Sequence, residues 1–317
     1  GALVVSLLPH GVGFTKALHL AGKLGRMNVI DWKFDLNNRY TVWSGIIGGF
    51  FLQLSYFGTD QSQVGRYLTG SSVGQSRLGL IMNGLIKIPM QFLILLIGVL
   101  VFAFYQFHQP PMFFNQYEVK QVKASRYGAE YIGLEKQYSV AFEQKKASAE
   151  NFSTASGNKD EAKISVAGAA LKEADAQQKV IRNKAIALIK KNNGKADTDT
   201  NYVFLNFVTH FLPRGLIGLL IAIVFLASMG STASALNSLA STTVVDIYKR
   251  IINPNASDKA YLDASRLATI FWGLVCIGMA LYAGKMGNLL EAVNQLGSYI
   301  YGTILGVFVV AFYLKKI

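Results

Sequence analysis

The stretch GLIGLLIAIVFLASMGSTASALNSLASTTVVDIYKR, Gly215–Arg250, decides how the rest of the chain is read. Its first half is an ordinary membrane helix. In its second half Ser228, Ser231, Thr232, Ser234, Asn237, Ser238, Ser241, Thr242 and Thr243 replace branched aliphatics within about four and a half turns. Lipid offers such side chains no hydrogen-bond partner, so they need the preceding turn, a neighbouring helix or an ion. Ser228, Ser231 and Thr232 stand at i, i+3 and i+4 and share one face. Hydroxyls and a freed carbonyl on one face are hard oxygen donors of the kind an alkali cation prefers. Close packing of helices through small residues is the competing explanation of the same stripe.

Working outward, several further apolar runs are long enough to cross roughly 30 Å of hydrocarbon. The 317 residues are 51% hydrophobic with only 6 Pro, and the expected class is an all-α, polytopic membrane helical bundle in a lipid bilayer. The net charge of +13 does not indicate nucleic acid. Residues 117–200 hold 15 Lys/Arg against 11 Asp/Glu, a solvated mixed surface, and no basic stripe with interleaved aromatics occurs. Cys276 lies in an apolar run, and the four histidines have no ligand spacing. No nucleophile–base pair is visible on any two spans, so no enzyme is expected.

Residues 1–8 read as the end of a truncated transmembrane helix, and 9–39 as a polar extracytoplasmic connector with interfacial aromatics at Trp32, Phe34 and, just beyond, Tyr40. Residues 40–107 read as a discontinuous helix followed by a transmembrane helix. The apolar run Val42–Tyr56 loses its pattern at Gly58, where unwound backbone at membrane depth would line a cavity. The alternative is a helix end with Asp60 capping a surface helix. Leu78 to Phe107 carries one cation, Lys87, roughly 13 Å along the helix and so near mid-depth. It reads either as a functional group or as a side chain snorkelling to the interface. Residues 108–212 read as a polar extracytoplasmic insert of two helices joined near Gly157, a lid or a surface for a protein partner. Residues 213–317 complete three transmembrane helices. Five spans put Arg66, Arg77, Lys249, Arg250, Lys259, Arg266, Lys315 and Lys316 on one side, against Lys16, Lys23, Arg26, Lys33, Arg39 and Lys285 on the other. The richer set is expected to be cytoplasmic, in an inner (plasma) membrane.

LSYFGTDQSQVGRYLTGSSVGQSRLGL resembles the broken sixth core helix and following loop of the sodium/solute symporter family, the sodium–glucose cotransporter-like group. ASMGSTASALNSLASTTVVDIYKR resembles that family's eighth core helix. The likeness runs from about Tyr40 to the end and leaves out the polar insert. It implies a LeuT-like core of two inverted five-helix repeats, of which this chain would hold the second with a polar helical-hairpin insert. It also implies Na⁺ bound by the Ser228 carbonyl and the Ser231 and Thr232 hydroxyls, the other ligands coming from the first core helix. By the same resemblance Gln53 and Lys87 would bond the solute, Tyr56 would stack on it as the inner gate, and Asn294 or Gln295 would contribute from the last span. Gln53 stands where sugar-transporting members typically have Asn, and Gly65 where Gln usually precedes Arg66. The expected function is Na⁺-coupled symport of a small polar solute, a sugar or polyol first. An amino acid, monocarboxylate or sialic acid is the alternative, and a membrane scaffold or sensor with a partner-binding hairpin is the reading from another class.

Overall fold

The computed structural model describes the chain apart from residues 29, 36–37, 39–40, 159, 195–198, 284–288 and 315–317. Tyr40, Arg39, Lys285, Lys315 and Lys316, used above, lie outside the described residues. In chain order the helices are α1 (Ala2–Ser6), α2 (Phe14–Lys23), α3 (Val42–Thr59), α4 (Gln61–Leu68), α5 (Val73–Phe104), α6 (Gln116–Lys123), α7 (Gly128–Gly157), α8 (Glu161–Asn193), α9 (Thr200–Phe211), α10 (Arg214–Thr242, continued as a wider π-helix over Thr243–Ile252), α11 (Asp258–Ala283) and α12 (Leu289–Tyr313). No strand occurs among the described residues.

Four of these helices are long and apolar enough to span a bilayer: Val73–Phe104, Arg214–Ile252, Asp258–Tyr282 and Val293–Tyr313. The expected fifth span forms α3, but Gly45, Gly48, Gly49, Gln53 and Ser55 dilute its apolar content, and it is not among the four. Side chains such as Phe225, Leu226, Leu274 and Phe312 are largely exposed on these helices, as suits a chain whose surrounding solvent is lipid. Pro89 lies inside α5 without ending it.

The chain divides into two units, Gly1–Asp31 with Gly84–Phe211, and Trp32–Asn83 with Leu212–Ile317. In the first, α7 and α8 form a long hairpin. Tyr131, Leu134, Tyr138, Ala141, Phe142, Lys145 and Ala149 repeat at three- and four-residue spacing and are buried, as are Leu171, Asp175, Gln178, Ala185 and Leu188 on α8. The turn falls where expected. α7 ends at Gly157, and the Asp160 carboxylate accepts from the Lys163 N–H at 3.1 Å to cap α8. Met112, Phe113, Val119 and Val122 close the far end of this core. A helix within the connector, α2, was not anticipated. Its Ala17, Leu20 and Ala21 are fully buried, and His19 Nδ1 lies 2.9 Å from Ser156 Oγ of α7.

A Cβ at Gly128 would run into the Lys123 carbonyl, where α6 turns into α7. Gly128→Ala is therefore expected to destabilise the insert by about 1–3 kcal/mol through overpacking. Thermal unfolding checks this, and an unchanged midpoint would contradict the packing described.

Candidate functional site

The second unit holds the broken helix, the hydroxyl-bearing helix and the last span. The break falls at Asp60, not Gly58. α3 runs through Gly58 to Thr59, and only Asp60 leaves the helical region, at φ −73° and ψ 115°. The Asp60 carboxylate then caps α4, accepting from the Ser62 N–H at 2.8 Å and the Ser62 hydroxyl at 2.6 Å. The two sequence alternatives thus coexist: the rod is interrupted, and Asp60 is the capping residue at the interruption. Glycine needs no break, because its cost within a helix is modest, whereas a short acidic side chain competes effectively for the free N–H groups of the next helix.

Beside the break lies a cavity of about 440 Å³, bordered by Asp60, Gln61 and Ser62, by Ser238 and Thr242 of α10, and by Trp272 of α11. Trp272 Nε1 donates to the Thr243 hydroxyl at 2.9 Å, and that hydroxyl donates to the Leu239 carbonyl at 2.7 Å. This locks α10 to α11 where the helix widens. Arg66 of α4 reaches the Ser234 hydroxyl at 3.4 Å.

The hydroxyls of α10 sort into two sets. Ser228 donates to the Val224 carbonyl at 2.7 Å and Ser238 to the Ser234 carbonyl at 3.0 Å, each spent on its own preceding turn. Ser231, Thr232, Ser241 and Thr242 make no side-chain hydrogen bond among the described residues, and Ser231 and Thr232 are exposed in this chain. Ser228, Ser231, Ala235, Ser238 and Thr242 step along one face at three- or four-residue intervals, so the Ser231–Thr232 turn lies on the cavity-bordering face, toward the helix N-terminus. The part expected of Ser228 uses its carbonyl, and a carbonyl engaged in a helical bond keeps a second lone pair.

Gln53 and Tyr56 lie on α3, and Asn294 and Gln295 on α12. These helices are joined by the fully buried Ser55, whose hydroxyl donates to the Tyr301 carbonyl at 2.8 Å. Gln53 is exposed, two residues from Ser55 and so on nearly the opposite face of α3. Tyr56 is half-buried and meets Phe57 edge-on at 5.2 Å. Asn294 is exposed, and Gln295 Nε2 comes to 3.5 Å of the Tyr299 hydroxyl. Lys87 belongs to the part of α5 in the first unit, where it is exposed. The sequence reading missed Trp272 and the Ser55–Tyr301 bond. An indole in an apolar run gives no sign of which hydroxyl it meets, and one serine among many gives no sign of which carbonyl it meets.

Residues 179–317 match the model of the sodium:solute symporter family, a region that holds the hydroxyl-bearing helix and both spans after it. That stretch is similar to the family. Along nearly its whole length, the chain resembles the sodium-dependent multivitamin transporter of Oryctolagus cuniculus (24% identity, 93% of this chain, 34% of the relative). It also resembles sodium-coupled monocarboxylate transporter 1 of Mus musculus (24% identity, 96% of this chain, 36% of the relative). Sodium/glucose cotransporter 2 of Rattus norvegicus is 30% identical over 37% of this chain and 18% of its own. The chain thus spans about a third or less of the length of these relatives. No solved structure matches it.

Proposed function

We propose that the protein carries out Na⁺-coupled symport of a small polar solute, with Ser231, Thr232 and the Ser228 carbonyl as this chain's share of the Na⁺ site. The observation that carries the reading is that Ser231 and Thr232, like Ser241 and Thr242 further along α10, make no side-chain hydrogen bond among the described residues, with Ser231 in line with the residues that border the broken helix. A stripe used only for packing would spend those hydroxyls on its own carbonyls or on a neighbour, as Ser228, Ser238 and Thr243 do. Na⁺ binding there would favour the conformation with higher solute affinity, and linkage makes the effect reciprocal. The membrane potential adds about 2.3 kcal/mol per charge per 100 mV to the drive.

Gln53, Tyr56, Lys87 and Asn294, or Gln295 in its place, are proposed as the solute contacts, with a sugar or polyol as cargo. A second cargo, an organic acid, has its own support: a relative aligned over almost the whole chain is named for monocarboxylates, and Lys87 supplies a cation for a carboxylate. Lys87→Ala in the full-length protein is expected to raise the solute KM several-fold, with membrane insertion unchanged. Competition by a neutral sugar and by a monocarboxylate then separates the two cargoes. Uptake indifferent to the substitution would leave Lys87 as a snorkelling side chain.

A further inference from the structure

The transport reading makes no use of a second cavity, about 460 Å³, lying wholly within the first unit where the end of α5 meets the α7–α8 hairpin. Four cationic side chains border it, Arg26, Lys145, Lys179 and Arg182, against two carboxylates, Asp175 and Asp199. Both carboxylates are already engaged. Asp175 holds Lys145 at 2.9 Å and Lys179 at 2.6 Å, and Asp199 holds Arg182 at 2.7 Å. The lining therefore carries two positive charges in excess.

Two buried amides border the same space. Gln106 is 2% exposed; its Nε2 donates to the Phe102 carbonyl at 2.9 Å, and its Oε1 has no partner among the described residues. Gln178 is 5% exposed; its Oε1 accepts from the Lys145 ammonium at 2.9 Å, and its Nε2 has no partner among the described residues. A carbonyl can only accept and an ammonium can only donate, so chemistry fixes both amide orientations. The cavity thus presents one unspent acceptor, one unspent donor and surplus positive charge, in a volume suited to a small molecule. Water could satisfy the two amides, whereas one ligand with a negative group and a hydroxyl would meet both amides and the excess charge together.

We propose that this cavity binds a small organic anion that also carries a hydroxyl, a hydroxy acid in the simplest case. The carboxylate takes the excess charge and the Gln178 N–H, and the hydroxyl donates to Gln106 Oε1. The assignment is independent of the transport site.

The test is equilibrium binding of radiolabelled lactate, acetate and propane-1,2-diol to the full-length protein in lipid nanodiscs. Lactate is expected to bind saturably and at least about tenfold more tightly than acetate or the diol, the scale of one hydrogen bond in a charged site. Gln106→Leu should bring lactate down to the level of acetate. Arg26→Gln, at an exposed position that spares the fold, should weaken both acids. Binding is measured with K⁺ in place of Na⁺, which separates it from any Na⁺-linked site in the transport path. The proposal is overturned by absence of saturable binding, by equal affinity for lactate and either control, or by indifference to both Gln106→Leu and Arg26→Gln.

Discussion

Thr232→Ala in the full-length protein is expected to weaken Na⁺ activation of uptake about tenfold, close to 1.4 kcal/mol. Apparent solute affinity at fixed Na⁺ should fall in step, because coupling between two ligands is reciprocal. The substitution discriminates well because alanine keeps the small profile that close helix packing requires and removes only the oxygen. Thr232 spends its hydroxyl on nothing among the described residues, so no internal hydrogen bond is lost with it. Thr232→Ser, which keeps the oxygen, should restore most of the Na⁺ dependence. The measurement is solute uptake titrated with Na⁺ at constant ionic strength, and an unchanged Na⁺ curve in Thr232→Ala would return the stripe to a packing role.

The second large effect concerns the insert. Asp175→Ala is expected to cost about 3–5 kcal/mol, because it leaves Lys145 buried and uncompensated between α7 and α8. The side chains of the pair are only 7% and 9% exposed, so solvent does little to screen them. Lys145→Met combined with Asp175→Leu should recover most of the loss, since the pair's attraction only roughly offsets the cost of burying both charges. Thermal unfolding and amide exchange of α7 and α8 read this out, and a single variant as stable as the double would contradict it. A pH dependence follows with a definite sign. Burial pushes the Asp175 carboxyl up, but the ammonium groups of Lys145 and Lys179 and their hydrogen bonds outweigh this and hold it below its ordinary 3.8. A carboxylate depressed in the folded state contributes fully at neutral pH, and the contribution is lost as pH falls below about 4 through the folded value. The acid limb of a stability profile should flatten in the double variant.

How much of this could be read from the residues varied with the range of the interaction. Helical class and four of the five expected spans follow from local periodicity and composition, while the fifth, α3, is a helix too dilute in apolar residues to count with them; α7 ends at Gly157, where the hairpin turn was read. The short helix Phe14–Lys23 was legible too, since Ala17, Leu20 and Ala21 repeat at helical spacing, but the glycines around it masked the pattern. Lys145 stands in register with Tyr138, Ala141, Phe142 and Ala149, which marks it as buried; its partner 30 residues away carries no comparable mark. The displacement of the break from Gly58 to Asp60 has the same character. Glycine reads as the weak point, but what ends α3 is the capping geometry that Asp60 shares with Ser62. Which hydroxyls of α10 meet Trp272 and Arg66 depends on positions that only the fold supplies.

The account rests on Na⁺ driving solute through the protein, and uptake by proteoliposomes of the full-length protein tests that most directly. A panel of labelled sugars, monocarboxylates and amino acids would be offered with an inward Na⁺ gradient, with Na⁺ equal on both sides, and with K⁺ in its place. The account predicts that at least one solute accumulates above equilibrium only under the Na⁺ gradient, with accumulation increased by an inside-negative potential. Uptake of every solute at the same level in K⁺ as in Na⁺ would contradict it.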